Sequence, residues 1–270
     1  MSLLYSHIGA SRQDADATAY VSAIRTAGAT VTAAQRDYIN DFIRAEKIAS
    51  RWDLVKRLYL PIWGVAAANA ICVRSLASGT FVGSVTHGAG FVLSDTTTGY
   101  MDTNVGLTTL GLSLSSYHFA GLYKASSTKS NSVLFGAQSG SNQNRFLISG
   151  TTVTSTLSSS TLGQIVGTVA SGDRLGIFTF SGAASTRFLK RRKTSGVTTL
   201  GTTSTTITAQ PNNLNVALLA RNLNGTTIDS FCGEEIGAFS IGLQLTDAQD
   251  DAYSLALKKL WEGTTGLTLP

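Results

Sequence analysis

Arg174-Leu-Gly-Ile-Phe-Thr-Phe180 and Ser132-Val-Leu-Phe-Gly-Ala137 decide how this chain is read. In both, large apolar residues alternate with small or polar ones, the period-two pattern of a strand with one face in a core and the other in water. Outward from these two runs, similar ones recur from Ser75 to about Gly242, separated by Gly, Ser, Asn and Thr clusters at roughly the 8–12-residue spacing of a sandwich. Strands are predicted at Gly79–Val85, Gly90–Leu93, Tyr117–Lys124, Ser132–Gln138, Arg145–Ser149 and Thr151–Leu157. Others are predicted at Arg174–Phe180, Thr186–Arg192, Gly196–Thr202, Asn215–Ala220 and Glu234–Ile241. Helical patterns do not alternate with these strands, which argues against a parallel α/β sheet. The absence of a repeat with a period of roughly 20–50 residues argues against propellers and solenoids.

The flanks read as helices. Asp14 to Ala27 places Tyr20, Val21 and Ile24 on one face, with Gly28 as its stop. Thr32-Ala-Ala-Gln35 is a capping box, opening a second helix with Tyr38, Ile39, Phe42 and Ile43 at helical spacing. Trp52, Leu54, Val55 and Leu58 predict a further short helix. Thr246-Asp-Ala-Gln249 is a second capping box, opening a helix that runs to about Trp261 with Gly263 as its stop. The expectation is a mainly β protein, an antiparallel jelly-roll sandwich with an N-terminal helical segment over 1–74, then a sandwich and closing C-terminal helix over 75–270.

Composition agrees with a packed domain. The chain has 270 residues, 43% of them hydrophobic and 14% charged, with 27 glycines. That excludes a disordered polyelectrolyte and disfavours coiled coils and nucleic-acid binders, which need dense charge. A formal charge of +5 is a mild excess over a neutral, hydroxyl-rich surface. Cys72 and Cys232 form no metal-type spacing and read as a buried, reduced pair. The N-terminus carries no signal-peptide pattern, and Leu58 to Val73, interrupted by Pro61, Gly64 and Asn69, falls short of a membrane span.

Four segments carry a resemblance: Tyr38-Ile-Asn-Asp-Phe-Ile-Arg44, Trp52-Asp-Leu-Val-Lys-Arg-Leu58-Tyr59, Gly99-Tyr-Met-Asp-Thr-Asn104 and Ile241-Gly-Leu-Gln-Leu-Thr-Asp-Ala-Gln249. Together they resemble structural proteins of tailed bacteriophages with a concanavalin A-like, LamG-type jelly roll. The resemblance implies a non-enzymatic virion component, a capsid decoration or tail-fibre accessory protein that mediates assembly and adhesion. It further implies attachment to other virion proteins through the N-terminal helices, and self-association as a trimer. Two alternatives stay open: a receptor-binding lectin for host surface polysaccharide, and a glycoside-active enzyme.

The chemistry-bearing residues sort accordingly. Glu234 and Glu235 are adjacent, hence on opposite faces of a strand, which speaks against a facing pair of catalytic acids. His7, His87 and His118 have no Gly-x-Ser-x-Gly elbow to serve, so no catalytic residue is assigned. Asp95, Asp102, Asn104 and Asp229 offer oxygens to calcium, but without a dense acidic loop they read as turn and cap residues, and neither metal nor cofactor is expected. A sugar needs a stacking aromatic beside hydrogen-bonding side chains; Tyr100, Asp102, Asn104, Tyr117, Asn142 and Asn144 are the ligand-binding candidates. Lys190-Arg191-Arg192-Lys193 puts Lys190 and Arg192 on one face and Arg191 and Lys193 on the other, a candidate patch for an anionic partner.

Overall fold

The computed structural model describes residues 13–113, 115–125, 129–157, 163–170, 173–183, 185–208 and 212–269. In chain order the elements begin with α1 (Ala15–Thr26), α2 (Ala33–Ile48), β1 (Val55–Tyr59), α3 (Ala66–Asn69), β2 (Thr80–Val82), β3 (Val85–Gly88), β4 (Phe91–Ser94) and β5 (Tyr100–Gly106). They continue with β6 (Tyr117–Ala125), β7 (Ser132–Ser139), β8 (Asn142–Ser149), β9 (Thr152–Thr156), β10 (Gln164–Thr168), β11 (Gly176–Ala183), β12 (Thr186–Lys193) and β13 (Gly196–Thr203). The last are β14 (Asn215–Leu218), β15 (Arg221–Leu223), β16 (Thr227–Asp229), β17 (Glu235–Gly242) and α4 (Asp247–Thr265).

Two sheets pack face to face. One runs β13-β12-β11-β6-β17-β4-β3 with β1 added along β17; the other runs β10-β9-β8-β7-β14-β5-β2 with the β15–β16 hairpin added along β7. The long ladders are antiparallel, and the short pairing of β15 on β7 is parallel. This is the sandwich expected from the alternating runs. Between the sheets lies an aromatic core in which Phe119 stacks on Phe135 at 4.5 Å between ring centroids, with Phe146, Phe178, Phe180 and Phe239 around them.

The first sheet has a second cover. Leu122, Ile177 and Ala238 point away from the aromatic core into a separate apolar cluster with Tyr20 and Ile24 of α1, Phe42 and Ile43 of α2, and Tyr253, Leu257 and Trp261 of α4. Gly176–Ala183 is therefore buried on both faces, where its alternation predicts water on one. Alternation reports which residues share a face, and the helices occupy the side that solvent would otherwise take.

Both capping boxes form. Gln35 N donates to Thr32 Oγ1 at 3.2 Å while Thr32 N donates to Gln35 Oε1 at 2.9 Å. Gln249 N donates to Thr246 Oγ1 at 3.3 Å, with the reciprocal bond at 2.9 Å. The end of α4 differs: the helix passes Gly263 and stops at Gly266, whose φ of 70° is the left-handed cap. Gly263 serves contact instead, because a Cβ there would lie 2.4 Å from the ring of Tyr38 on α2.

The expected short helix after Trp52 is strand β1, paired through Leu58 to Ser240 and Tyr59 to Phe239 of β17. So short a segment cannot stabilise a helix alone, and a neighbouring strand supplies the backbone partners that settle the conformation. Strands β5, β10, β15 and β16, and β3 beyond its first residue Val85, fall outside the predicted set. Each is short or polar and becomes a strand by pairing with a neighbour.

Candidate functional site

Helices cover the outside of one sheet, so the outer face of the other is where side chains can meet a ligand. Directly paired residues of neighbouring strands share a face. A single row therefore runs across seven strands: Thr80 of β2, Asp102 of β5, Ala217 of β14, Gly136 of β7, Arg145 of β8, Thr156 of β9 and Gln164 of β10. The aromatic core lies on the other face, since Met101, Leu218, Phe135 and Phe146 alternate with this row and belong to that core.

The middle of the row carries only small residues, Gly136 and Ala217, and the β15–β16 hairpin fills the space over Gly136 with the Arg221 backbone against it. The Arg221 guanidinium then reaches along the face. Its Nε and Nη2 donate to the two carboxylate oxygens of Asp229 at 2.7 and 2.5 Å, and its Nη1 donates to Gln138 Oε1 at 2.6 Å. These bonds hold the Asp229 carboxyl below the usual carboxylate range, against the opposing effect of its partial burial.

Arg145 stands beside this pair. It is half-buried, it feels the charges of both Arg221 and Asp229, and its guanidinium has neither a hydrogen bond nor an ion pair among the described residues. Its Nε is shut off from solvent without an acceptor. Two neighbours on the same face share the condition: Gln143 Oε1 and Thr156 Oγ1 are buried and lack partners among the described residues. Buried polar atoms are normally satisfied, so three such atoms on adjacent strands of this outer face make it the candidate site.

The predicted ligand residues scatter around this site. Tyr100 and Asp102 do lie on the same outer face, on β5, about 14 Å of strand spacing from Arg145. Asp102 accepts from Asn104 N at 2.7 Å and from Asn215 Nδ2 at 3.3 Å, and Asn104 donates to Ser78 O and Thr80 Oγ1 at 3.2 and 3.1 Å, so both serve the local turn. Tyr117 is wholly buried between the sheets at 5.2 Å from the Phe180 ring, which leaves no ring face for a sugar. Asn142 and Asn144 share the inward face with Phe146 and Ile148, and it is the intervening Gln143 and Arg145 that point outward. The signal lies in the sequence: Phe146 and Ile148 set the phase, and counting back by twos puts the asparagines inside.

The basic run is committed internally. Lys190 pairs with Asp247 and Asp251 at 2.8 and 2.7 Å, and Arg192 donates to Ser254 Oγ and Asp251 O at 2.8 and 2.7 Å, which fastens α4 to β12. On the opposite face Arg191 and Lys193 both pair with Asp173 at 3.1 Å. The two faces are those the alternation predicts, but each cation already has its anion or carbonyl, because α4 and the loop before β11 fold back on the strand.

The remaining groups contact one another within the fold. Glu234 is fully buried, accepting from Arg174 Nη1 at 2.5 Å and from Ser132 Oγ, while Glu235 pairs with Lys124 at 2.7 Å. The two acids therefore do not face each other across a cleft. His118 is buried against Asp250 at 3.2 Å, and His87 shares a 2.9 Å hydrogen bond with Asn69. His7 lies outside the described residues. Asp95 accepts from Thr98 N and Gly99 N at 2.7 and 2.8 Å and from the hydroxyls of Thr97 and Thr98, which anchors a turn and drives its carboxyl far below the usual range. Among the described residues, no group of three or more His, Cys, Asp or Glu is placed to hold a metal ion, and no helix is long and apolar enough to cross a membrane. Cys72 and Cys232 are both free and buried.

No protein-family profile matches the sequence, and no curated protein matches it either. Solved structures do. The binding domain of botulinum neurotoxin serotype D aligns with a TM-score of 0.51 at 10% identity over 76% of this chain and 52% of its own. The CBM40 module of the Ruminococcus gnavus IT-sialidase, solved with α2,3-sialyllactose, aligns with a TM-score of 0.41 at 15% identity over 57% of this chain and 95% of its own. The exoplasmic/lumenal domain of VIP36, solved in a Ca2+/Man2-bound form, aligns at 0.42 and 9% identity over 73% and 92%. At such identities the likeness is one of architecture. The chain is a mainly β protein of two packed antiparallel sheets, with an N-terminal helical segment and a C-terminal helix, and shares this architecture with the neurotoxin binding domain.

Proposed function

We propose that this chain is a non-enzymatic carbohydrate-recognition module that seats a glycan on the outer face of the sheet carrying β7 to β10. The observation that carries the reading is the trio Gln143, Arg145 and Thr156, whose polar atoms lie buried and without partners among the described residues, on the outer face of the sheet that the helices do not cover. A glycan offers alternating hydroxyl donors and acceptors at the spacing of neighbouring strands, and a sheet face with one bounding hairpin can hold it from below and from the side.

A place in a phage particle rests on the resemblance alone. Its signature residues are spent on packing: Trp52 donates to Asp16 at 2.7 Å, and Thr246 and Gln249 cap α4. The surface therefore speaks for recognition first, and a virion is one setting in which such a module would act through adhesion.

The direct test is a glycan array with the intact protein, with and without calcium, followed by amide chemical-shift mapping of the best binder. Shifts confined to residues 143–147, 154–156 and 164–166 are the expected result. No binder, or shifts on the helix-covered sheet or at the strand-end loops, would refute it.

A further inference from the structure

Resting on the glycan reading, we infer that the ligand is an acidic sugar, one whose oxyanion is gripped by the guanidinium of Arg145. The charge balance of the face carries this. Two guanidinium groups, those of Arg145 and Arg221, lie near a single carboxylate, and Asp229 gives both its oxygens to Arg221. Arg145 is thus left with an uncompensated positive charge in a half-buried position. An arginine cannot shed its proton to escape that position, so the charge stays whatever the pH of the surroundings. A half-buried charge without a partner is costly, and an arriving oxyanion would remove the cost through two parallel N–H···O bonds to the planar fork.

The neighbouring orphans say what the rest of the ligand must carry. An inorganic anion would satisfy Arg145 Nε and the Thr156 hydroxyl, both donors. It would leave Gln143 Oε1, an acceptor, as it is. These three atoms are closed from solvent, so a ligand reaches them by parting the Gln143 and Arg145 side chains; a molecule with an oxyanion and hydroxyls on one small frame then satisfies all three, and that describes a sugar acid or a sulfated or phosphorylated sugar. Arg221 contributes by position: held by Asp229 and Gln138, it walls the site and adds to the positive field without competing for the ligand.

The test uses the intact protein and matched oligosaccharides: a carboxylate-bearing sugar, its methyl ester, the sulfate ester of the same frame and the neutral parent. Calorimetry on the unaltered protein is expected to show at least a tenfold loss from acid to methyl ester or neutral parent. A preference for carboxylate or for sulfate identifies the source of the oxyanion, and either supports the inference. Arg145→Ala should lose at least tenfold for the acid and almost nothing for the neutral parent, and Arg145→Lys should recover only part, because it restores charge without the fork. Inorganic sulfate should compete only weakly. Equal binding of acid, ester and neutral parent on the same face overturns the acidic specificity and leaves the glycan reading standing; absence of any glycan binding overturns both. Acid binding unchanged in Arg145→Ala overturns the residue assignment. Since the ester comparison needs no variant, it decides the acidic specificity even where a variant folds poorly.

Discussion

Gly136 lies so close beneath Arg221 that a Cβ on the glycine would stand 3.1 Å from the arginine's Cα. The hairpin that walls the candidate site is seated by that contact. Gly136→Val forces the hairpin up, at a cost of about 1–3 kcal/mol for an overpacked position. Hydrogen exchange is expected to show lost protection over residues 221–229, with β6 and β11 still protected and ligand binding weakened. Unchanged protection in the hairpin would show that the glycine does not seat it.

Glu234 is a structural acid. It sits fully buried with Arg174 and Ser132 at the start of β17, so Glu234→Ala leaves a buried guanidinium short of its charge partner and is expected to cost about 3–5 kcal/mol in urea unfolding. Glu235→Ala removes a partly exposed pair with Lys124 and should cost about 1 kcal/mol or less. Comparable costs for the two would contradict the burial difference.

Lys190 and Arg192 hold α4 on its sheet. The double substitution Lys190→Met with Arg192→Met keeps most of the buried stem and removes the bonds to Asp247, Asp251 and Ser254. Stability is expected to fall by about 1–3 kcal/mol, while affinity for an acidic oligosaccharide is unchanged. Lost affinity with intact stability would return this run to the role of an anionic-partner patch.

Burial lowers the His87 pKa below the ordinary histidine value. A histidine that resists protonation in the fold stabilises it above its unfolded pKa, and that contribution is lost as pH falls below about 6.5 toward the folded value. Partial exposure limits the effect to below about 1 kcal/mol. Urea midpoints should therefore decline from pH 7.5 to pH 5 more steeply in the unaltered protein than in His87→Gln. Equal slopes would assign the acid sensitivity elsewhere.

Much of the molecule was legible in the chain. Eleven predicted runs coincide with strands or parts of strands, and both capping boxes close, because alternation and caps are local properties that a few neighbouring residues satisfy among themselves. The site was half-legible. Phe146 and Ile148 already dictate that Gln143 and Arg145 share the outward face, whereas the polar character of Asn142 and Asn144 points to the wrong parity.

Residue order by itself determined the sandwich, its flanking helices and which side chains share a face, since those follow from periods of two and of 3.6 along the backbone. Only the tertiary structure decided what covers each face. It brought α4 down on Lys190 and Arg192, sealing a run that reads as an exposed patch. It laid the β15–β16 hairpin over Gly136, so that Asp229 neutralises Arg221 and leaves Arg145 alone. Charge partnership is a matter of distance in space, and residues 145, 221 and 229 meet only when the chain has closed loops far longer than any sequence pattern spans.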